Sequence, residues 1–377
     1  VKPSDSRVAS IASYLRSQLY VADELIDSSH GYLNLRNGLL NLDTFELEEH
    51  QRDLYLTSQR SIDYDPNATC PTFDTEMDVW MRDASGNVDR QKQAVLMEAF
   101  GYSLTPETRY EKAIWLYGPA ASGKSTILKV LMMLSGNAGT TLAFDYLDKN
   151  SYQLANLQGK QVAVCSEAAT NSTVQSDLVK QLVSGDPMMV RQIFGAPFTL
   201  LPQVKLWYAA NELPYNPDRS EGIYRRLIIL EFHNSIPANE RDPHLLEKLE
   251  EELPGILNKA LAGLKRLQEQ GRFTESSDID ASVNAYRAAN DHELAFVEEC
   301  CNVDERHTDD QYEHLVDHTR TMSSTLNNAY NKWRQQQGLH TKSGKQLAPE
   351  WERLGFKKKR IGGRFYWLGI EVQTQIT

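Results

Sequence analysis

AIWLYGPAASGKSTILKVLMML, residues 113–134, is the stretch on which the fold turns. AIWLY is a short continuous apolar run, as a strand buried on both faces should be. TILKVLMML carries apolar residues at helical spacing. Between them Gly118 and Gly123 frame a loop of the form G-x-x-x-x-G-K-[ST], through Pro119, Ala120, Ala121 and Ser122 to Lys124, Ser125 and Thr126. Glycines let backbone wrap a phosphate chain, whose charge is favoured at a helix N-terminus with unpaired N–H groups. Lys124 would reach the β- and γ-phosphates of ATP, and the Ser125 hydroxyl would bind Mg²⁺. The alternative is an ordinary glycine-rich strand-to-helix turn.

Downstream, QVAVC (161–165), KLWYAA (205–210) and RLIILEF (226–232) repeat the buried-strand signature, with helical stretches between them. Strands alternating with helices predict an α/β fold with helices around a mostly parallel sheet. What ends each strand suggests chemistry. QVAVC runs into Ser166 and Glu167, and Glu167 would orient the attacking water and complete the metal site. KLWYAA runs into Asn211, suited to hold that water or the γ-phosphate, although Asn-Glu-Leu-Pro is also a reasonable turn. Arg225 and Arg226 precede the last strand, where a ring motor presents an arginine to its neighbour's ATP. Arg226 is the first choice for this finger and Arg225 its fallback; a solvated arginine at a strand start is the bland reading.

A phosphate loop, a strand ending in Glu, a strand ending in Asn-x-x-Pro and Arg-Arg before a strand resemble, in order and spacing, superfamily 3 helicases of the AAA+ class. The likeness is greatest to the phage and plasmid primase–helicases related to the poxvirus primase–helicase. RNGLLNLDTFELEEHQRDLYLT (36–57) and YDPNATCPTF (64–73) resemble the region preceding the motor there, and LLEKLEEELPGILNKALAGLKRL (245–267) the helical segment after it. The resemblance implies a homo-hexamer, single-stranded and forked DNA as partners, 3′→5′ travel, an upstream primase domain, and replication of a phage, prophage or plasmid in a bacterial cytoplasm. It also implies a channel β-hairpin between Glu167 and Asn211. SGDPMMVRQIFGAPFTLLP (184–202) fills that place, with Arg191 and Phe194 for backbone pairing and base stacking and Lys180 on the preceding helix. Phe194 could equally be a core residue. Relatives often carry lysine at the hairpin tip, whereas Phe194-Gly195-Ala196 stands there in this chain.

At 377 residues the chain is too long for one ordinary core, and 41% hydrophobic with 24% charged residues is usual for soluble globular proteins. The expected division is residues 1–72 as a mixed α/β region, 73–275 as the ATPase core with its helical extension, and 276–377 as a linker and winged helix. In the last part STLNNAYNKWRQQ (324–336) and KQLAPEWERLG (345–355) read as helices before a basic hairpin, FKKKRIGGRFYWLGI (356–370). Lys357, Lys358, Lys359, Arg360 and Arg364 are its candidate phosphate contacts; basic hairpins are also often only solvated surface. A net charge of −11 does not exclude nucleic acid, because acids gather in EKLEEEL (247–253) whereas KKKRIGGR (357–364) contains none. Cys70, Cys165, Cys300 and Cys301 form no C-x-x-C pair and read as reduced thiols. No apolar run approaches the ~18 residues of a membrane span. The first residue is Val, consistent with a piece of a longer protein.

Three rival readings remain from sequence alone. A P-loop small-molecule kinase would leave the terminal winged helix without use. A nucleotide-switched, origin-binding initiator would not need Glu167, Asn211 and Arg226 together. A packaging or remodelling ATPase shares the motor.

Overall fold

Helix α1 (Asp5–Gln18) opens the chain, followed by an antiparallel three-stranded sheet of β1 (Tyr32–Leu35), β2 (Gly38–Asn41) and β3 (Leu47–Glu48). A computed structural model describes residues 4–22, 25–27, 31–143, 151–166, 173–304, 306 and 319–373. Residues 1–283 and 284–377 form two compact units. Asn37-Gly38 turns β1 into β2, as its turn chemistry predicts. Helix α1 precedes this sheet. Asp5 in its first turn and Arg16 in its last suit the helix dipole, while Ile11, Leu15 and Leu19 stay exposed.

Next come α2 (Pro71–Trp80) and α3 (Arg90–Ser103), and then the central layer. In chain order this layer contains β4 (Ala113–Tyr117), α4 (Lys124–Ser135), β5 (Gly139–Ala143), α5 (Ser151–Leu154), β6 (Val162–Ser166) and α6 (Ser176–Ser184). A hairpin of β7 (Met188–Arg191) and β8 (Pro197–Leu200) follows, and then β9 (Lys205–Ala210), α7 (Glu221–Tyr224) and β10 (Leu227–Glu231). The order β10-β4-β9-β6-β5 is parallel at every pairing. All six residues of β9 are buried, and β4 and β10 each bury four of their five. Continuous apolar runs are therefore the right signature for strands covered on both faces.

The chain leaves β4 towards the β5 edge, returns through β6 and β9, and passes β4 again to reach β10. The carboxyl end of β4 is thus a topological switch point, where crevices open in sheets of this kind.

Helices α8 (Leu245–Glu251) and α9 (Leu253–Gln270) cover one side. The backbones of α3 and α9 meet closely: a Cβ on Gly101 would stand 2.2 Å from the Ala260 carbonyl oxygen, and one on Gly263 2.3 Å from that of Met97. Glu98, fully buried on α3, accepts from Arg266 Nε of α9 at 2.7 Å and from the Thr274 backbone N–H at 2.8 Å. Removing Arg266 would leave the buried Glu98 carboxylate without its countercharge.

The division between the units falls within α10 (Ser277–Asn290). The second unit continues with α11 (His292–Cys300), β11 (Cys301–Val303), β12 (Arg320–Met322), α12 (Ser323–Gln336), α13 (Gly344–Arg353), β13 (Lys357–Ile361), β14 (Arg364–Leu368) and β15 (Ile370–Val372). Antiparallel β12-β14-β13 and the β11–β15 pair lie against α11–α13 around Phe296, Tyr330, Trp333, Trp351 and Trp367. Ser343 and Gln346 form a capping box that starts α13. Gly362 and Gly363, both at positive φ, make the two-residue turn between β13 and β14.

Candidate functional site

The loop Gly118–Gly123 runs from the carboxyl end of β4 into α4. Gly118, Ala121 and Gly123 all have positive φ (141°, 57° and 99°), so the backbone curls tightly before α4. A side chain on Gly118 would strike the Phe232 carbonyl oxygen at 2.2 Å. Gly123 is the N-cap of α4 and offers no side chain to its first-turn N–H groups. A helix N-terminus without a side-chain cap is a favourable place for an anion.

Lys124 is 5% exposed, and its ammonium is drawn into the loop. Its Nζ donates to the carbonyls of Gly118 (2.7 Å) and Pro119 (2.6 Å), to Ser122 Oγ (3.2 Å) and to Asn211 Oδ1 (3.1 Å). Asn211 directly follows β9, the neighbour of β4, and the Gly118 N–H donates to the Ala210 carbonyl at 3.3 Å. Two residues 87 positions apart therefore meet because their strands are adjacent. Ser125, Pro119, Ala120 and Ala121 are exposed, and Thr126 is half-buried. Glu167 lies outside the described residues. Among the described residues no cluster of three or more His, Cys, Asp or Glu side chains could hold a metal ion.

Arg225 and Arg226 occupy the opposite end of the sheet. In the parallel β4–β10 register Leu227 faces Ala113, so the arginines lie level with Lys112 while Gly118 lies beyond Tyr117. Five strand residues, about 16 Å, separate them from the loop of their own chain.

The two arginines differ in surroundings. Arg226, whose side chain is 12% exposed, donates to Glu111 (2.6 Å), the Gly222 carbonyl (2.8 Å) and Ser184 Oγ (3.1 Å). Arg225 is 62% exposed and only 3.8 Å from Glu111 at its nearest. Glu111, at φ 49°, gave no signal in the sequence; it is found only through its ion pair across 115 residues.

On α6, Lys180 is held between Asp177 (2.8 Å) and Asp218 (2.9 Å), and these hydrogen bonds raise its pKa. Its charge is answered within the protein. Arg191 reaches the Tyr152 hydroxyl and lies 4.9 Å over that ring. At the tip of the β7–β8 hairpin Phe194 is fully exposed at φ 61°, beside Ile193 at 67% exposure. The core alternative for Phe194 is excluded. Met189 and Leu201, towards the open end of the hairpin, are also exposed.

In the second unit Lys358, Arg360 and Arg364 are exposed and Lys357 and Lys359 half-buried. Lys358 lies 5.0 Å over Phe365 and 5.5 Å over Trp367, and Arg360 lies 5.7 Å over Phe365. Cations seated on aromatic faces keep their full charge. All four cysteines are free and buried, and burial pushes the Cys165 thiol up to about 12.

Comparison with known proteins adds three findings. Residues 3–83 match the family described as D5 N terminal like, and residues 116–226 match a family of unknown function, DUF5906. A protein of Acanthamoeba polyphaga mimivirus named "Putative helicase" is 22% identical over 151 residues, 38% of this chain. The chain spans 16% of the length of that relative. The apo structure of the NrS-1 C-terminal region, A form, superposes with a TM-score of 0.51 at 11% identity, covering 96% of this chain and 89% of that one. A second structure of that region gives 0.49 at 12% identity, covering 82% and 78%. The first superposition shows a shared fold. The D5 N terminal like match and the mimivirus relative agree with the primase–helicase resemblance, each over less than half of this chain. Among the described residues no helix is long and apolar enough to cross a membrane.

Proposed function

We propose that this chain is the ATP-hydrolysing motor of a replicative DNA helicase, working as a ring of identical copies, six by resemblance, on single-stranded and forked DNA. One observation carries the reading: the phosphate loop and the exposed Arg225 lie at opposite ends of one parallel sheet. An arginine so placed can serve a nucleotide only on another copy, so a complete site requires two subunits. Heterologous contacts of this kind close into rings.

The residues divide the work as follows. First-turn N–H groups of α4 and the Lys124 ammonium hold the phosphates, with Lys124 exchanging its carbonyl partners for phosphate oxygens. Ser125 and Glu167 would hold Mg²⁺, and Glu167 would orient water. Asn211, already against Lys124, is within reach of the γ-phosphate's side of the loop. Bound ATP supplies the free energy of phosphoryl transfer to water. Arg225, with Arg226 and Glu111 bracing it, stabilises charge developing on the neighbour's phosphates. The Phe194 tip and the β13–β14 cations contact DNA, and Lys180 braces α6. A winged-helix role for the second unit, 3′→5′ travel and an upstream primase follow from the resemblance.

The deciding experiment measures ATP turnover with and without single-stranded DNA, and strand separation of a forked duplex. DNA-stimulated turnover coupled to separation is expected. ATP turnover indifferent to DNA, with no separation at any protein concentration, would overturn the reading.

A further inference from the structure

Trp80, the last residue of α2, belongs to the phosphate loop although it lies 38 positions before Gly118. It falls within the D5 N terminal like match, whereas the loop falls within the other family match. The edge of its indole stands where a side chain of residue 123 would be: a Cβ on Gly123 would meet Cδ1 at 2.4 Å, Nε1 at 2.5 Å and Cγ at 2.8 Å. Trp80 is 3% exposed, and its indole N–H is buried with no hydrogen-bond partner. A buried donor left so costs about 1–3 kcal/mol. A phenyl ring would fill most of the space without that cost, so packing alone does not account for an indole here.

Behind it, Phe73 stands edge-on at 6.0 Å, and Phe73–Phe100 and Phe100–Trp207 contacts continue the row to β9. The edge facing Gly123 is therefore backed by rigid aromatic packing. The Gly123 backbone, at φ 99°, is pinned between this wall and the first turn of α4.

We infer that Trp80 is a positioning residue of the nucleotide site, holding Gly123 in the turn that aims the α4 N–H groups at phosphate. The inference rests on the nucleotide-binding reading of this loop. Without the indole edge the loop samples other turns, and apparent affinity falls by the fraction of time it spends in the competent one.

The test measures ADP affinity by calorimetry, together with thermal melting, for the full chain and its variants. Trp80→Phe should weaken ADP binding about tenfold, corresponding to a loop competent about a tenth of the time, with little change in melting temperature. Single-turnover hydrolysis at saturating ATP should keep its rate, because a positioning loss falls on binding and not on the chemical step. Tyr102→Leu, in a separate buried aromatic cluster with Tyr110 and Phe273, should lower the melting temperature and leave ADP affinity unchanged.

A second comparison guards against misfolding. Gly123→Ala brings a Cβ against the indole, and Trp80→Ala opens that space. The strain of alanine at positive φ is common to both backgrounds and cancels. The double variant should therefore bind ADP more tightly than Gly123→Ala alone. Wild-type affinity in Trp80→Phe, or additive losses in the Gly123 and Trp80 pair, would overturn the role of Trp80. A wild-type protein that binds no nucleotide at all would instead overturn the reading of the loop.

Discussion

Arg225 and Arg226 are neighbours in sequence, yet their replacement should have opposite consequences. Arg226→Ala removes hydrogen bonds to Glu111, Gly222 and Ser184 from a side chain only 12% exposed. Glu111 is 37% exposed and would be partly rehydrated, so the ion pair is discounted for solvent screening. Three hydrogen bonds at about 0.5–1 kcal/mol each give a loss of roughly 2 kcal/mol. In a unit of 283 residues that lowers the melting temperature by about 3 °C. Arg225→Ala removes one solvent-screened approach at 3.8 Å and should leave melting unchanged within experimental error. Turnover should rank the other way. An arginine acting on a neighbour's phosphates contributes about 10³–10⁵ in rate. Arg225→Ala should therefore reduce DNA-stimulated turnover at least about a hundredfold in a protein that melts normally. Mixing it with Lys124→Ala should restore activity, because about a quarter of interfaces in an equal random mixture join an intact loop to an intact Arg225. Calorimetric melting, turnover and a mixing titration are read on the same preparations. Normal turnover in Arg225→Ala would refute the reasoning. So would mixtures that stay inactive although subunits exchange, or an Arg226→Ala protein that melts like wild type.

Lys124→Ala should abolish ATP hydrolysis with circular dichroism unchanged, because the ammonium is held by loop carbonyls and Asn211 and not by the core; turnover in a folded variant would remove Lys124 from the site. Phe194→Ala should weaken single-stranded DNA binding by about 1–3 kcal/mol, the usual worth of one base–aromatic stack, at unchanged salt slope and with no loss of stability, as fluorescence titrations at several salt concentrations would measure. Replacing Lys358, Arg360 and Arg364 with Gln should flatten the logarithmic salt dependence by about 0.7 for each single-strand phosphate that these cations no longer neutralise, while basal ATP turnover persists.

Much of this organisation is legible in the sequence because it depends on neighbours along the chain. The strand–loop–helix at 113–134, the turns at Asn37-Gly38 and Gly362-Gly363, and Pro254 opening α9 each require only residues a few positions apart. What stayed hidden depends on partners brought together by the sheet. The sequence ranks Arg226 ahead of Arg225 for the finger; only the fold shows Arg226 drawn into an ion pair with Glu111, just before β4, while Arg225 stays exposed. Lys180 reads as a free cation until Asp218, 38 residues away, folds against it. Trp80 carries no motif, and only the missing Cβ of Gly123 reveals it. Phe194 could have been a core residue by composition; the tip of a two-stranded hairpin leaves it exposed.

The two surfaces proposed to meet nucleic acid differ in physical kind, and such a division would reconcile binding with the acidic balance of the chain. A net charge of −11 would oppose a binding mode resting on one broad basic face. The hairpin needs no such face: Phe194 and Ile193 are apolar, and its nearest cation, Arg191, is already engaged by Tyr152. Base stacking gains little from net charge and loses little to salt. On the β13–β14 strands Lys358 and Arg360 are seated on aromatic rings, which keeps a local positive patch within an acidic protein. Affinity through the first should persist at high salt, and affinity through the second should fade. A variant lacking both Phe194 and the three exposed cations should therefore lose binding as the sum of the two separate losses at low salt, and as the Phe194 loss alone at high salt. Equal salt slopes for the two single-surface variants would show that the hairpin binds by charge after all, and would return Arg191 to the role of phosphate contact.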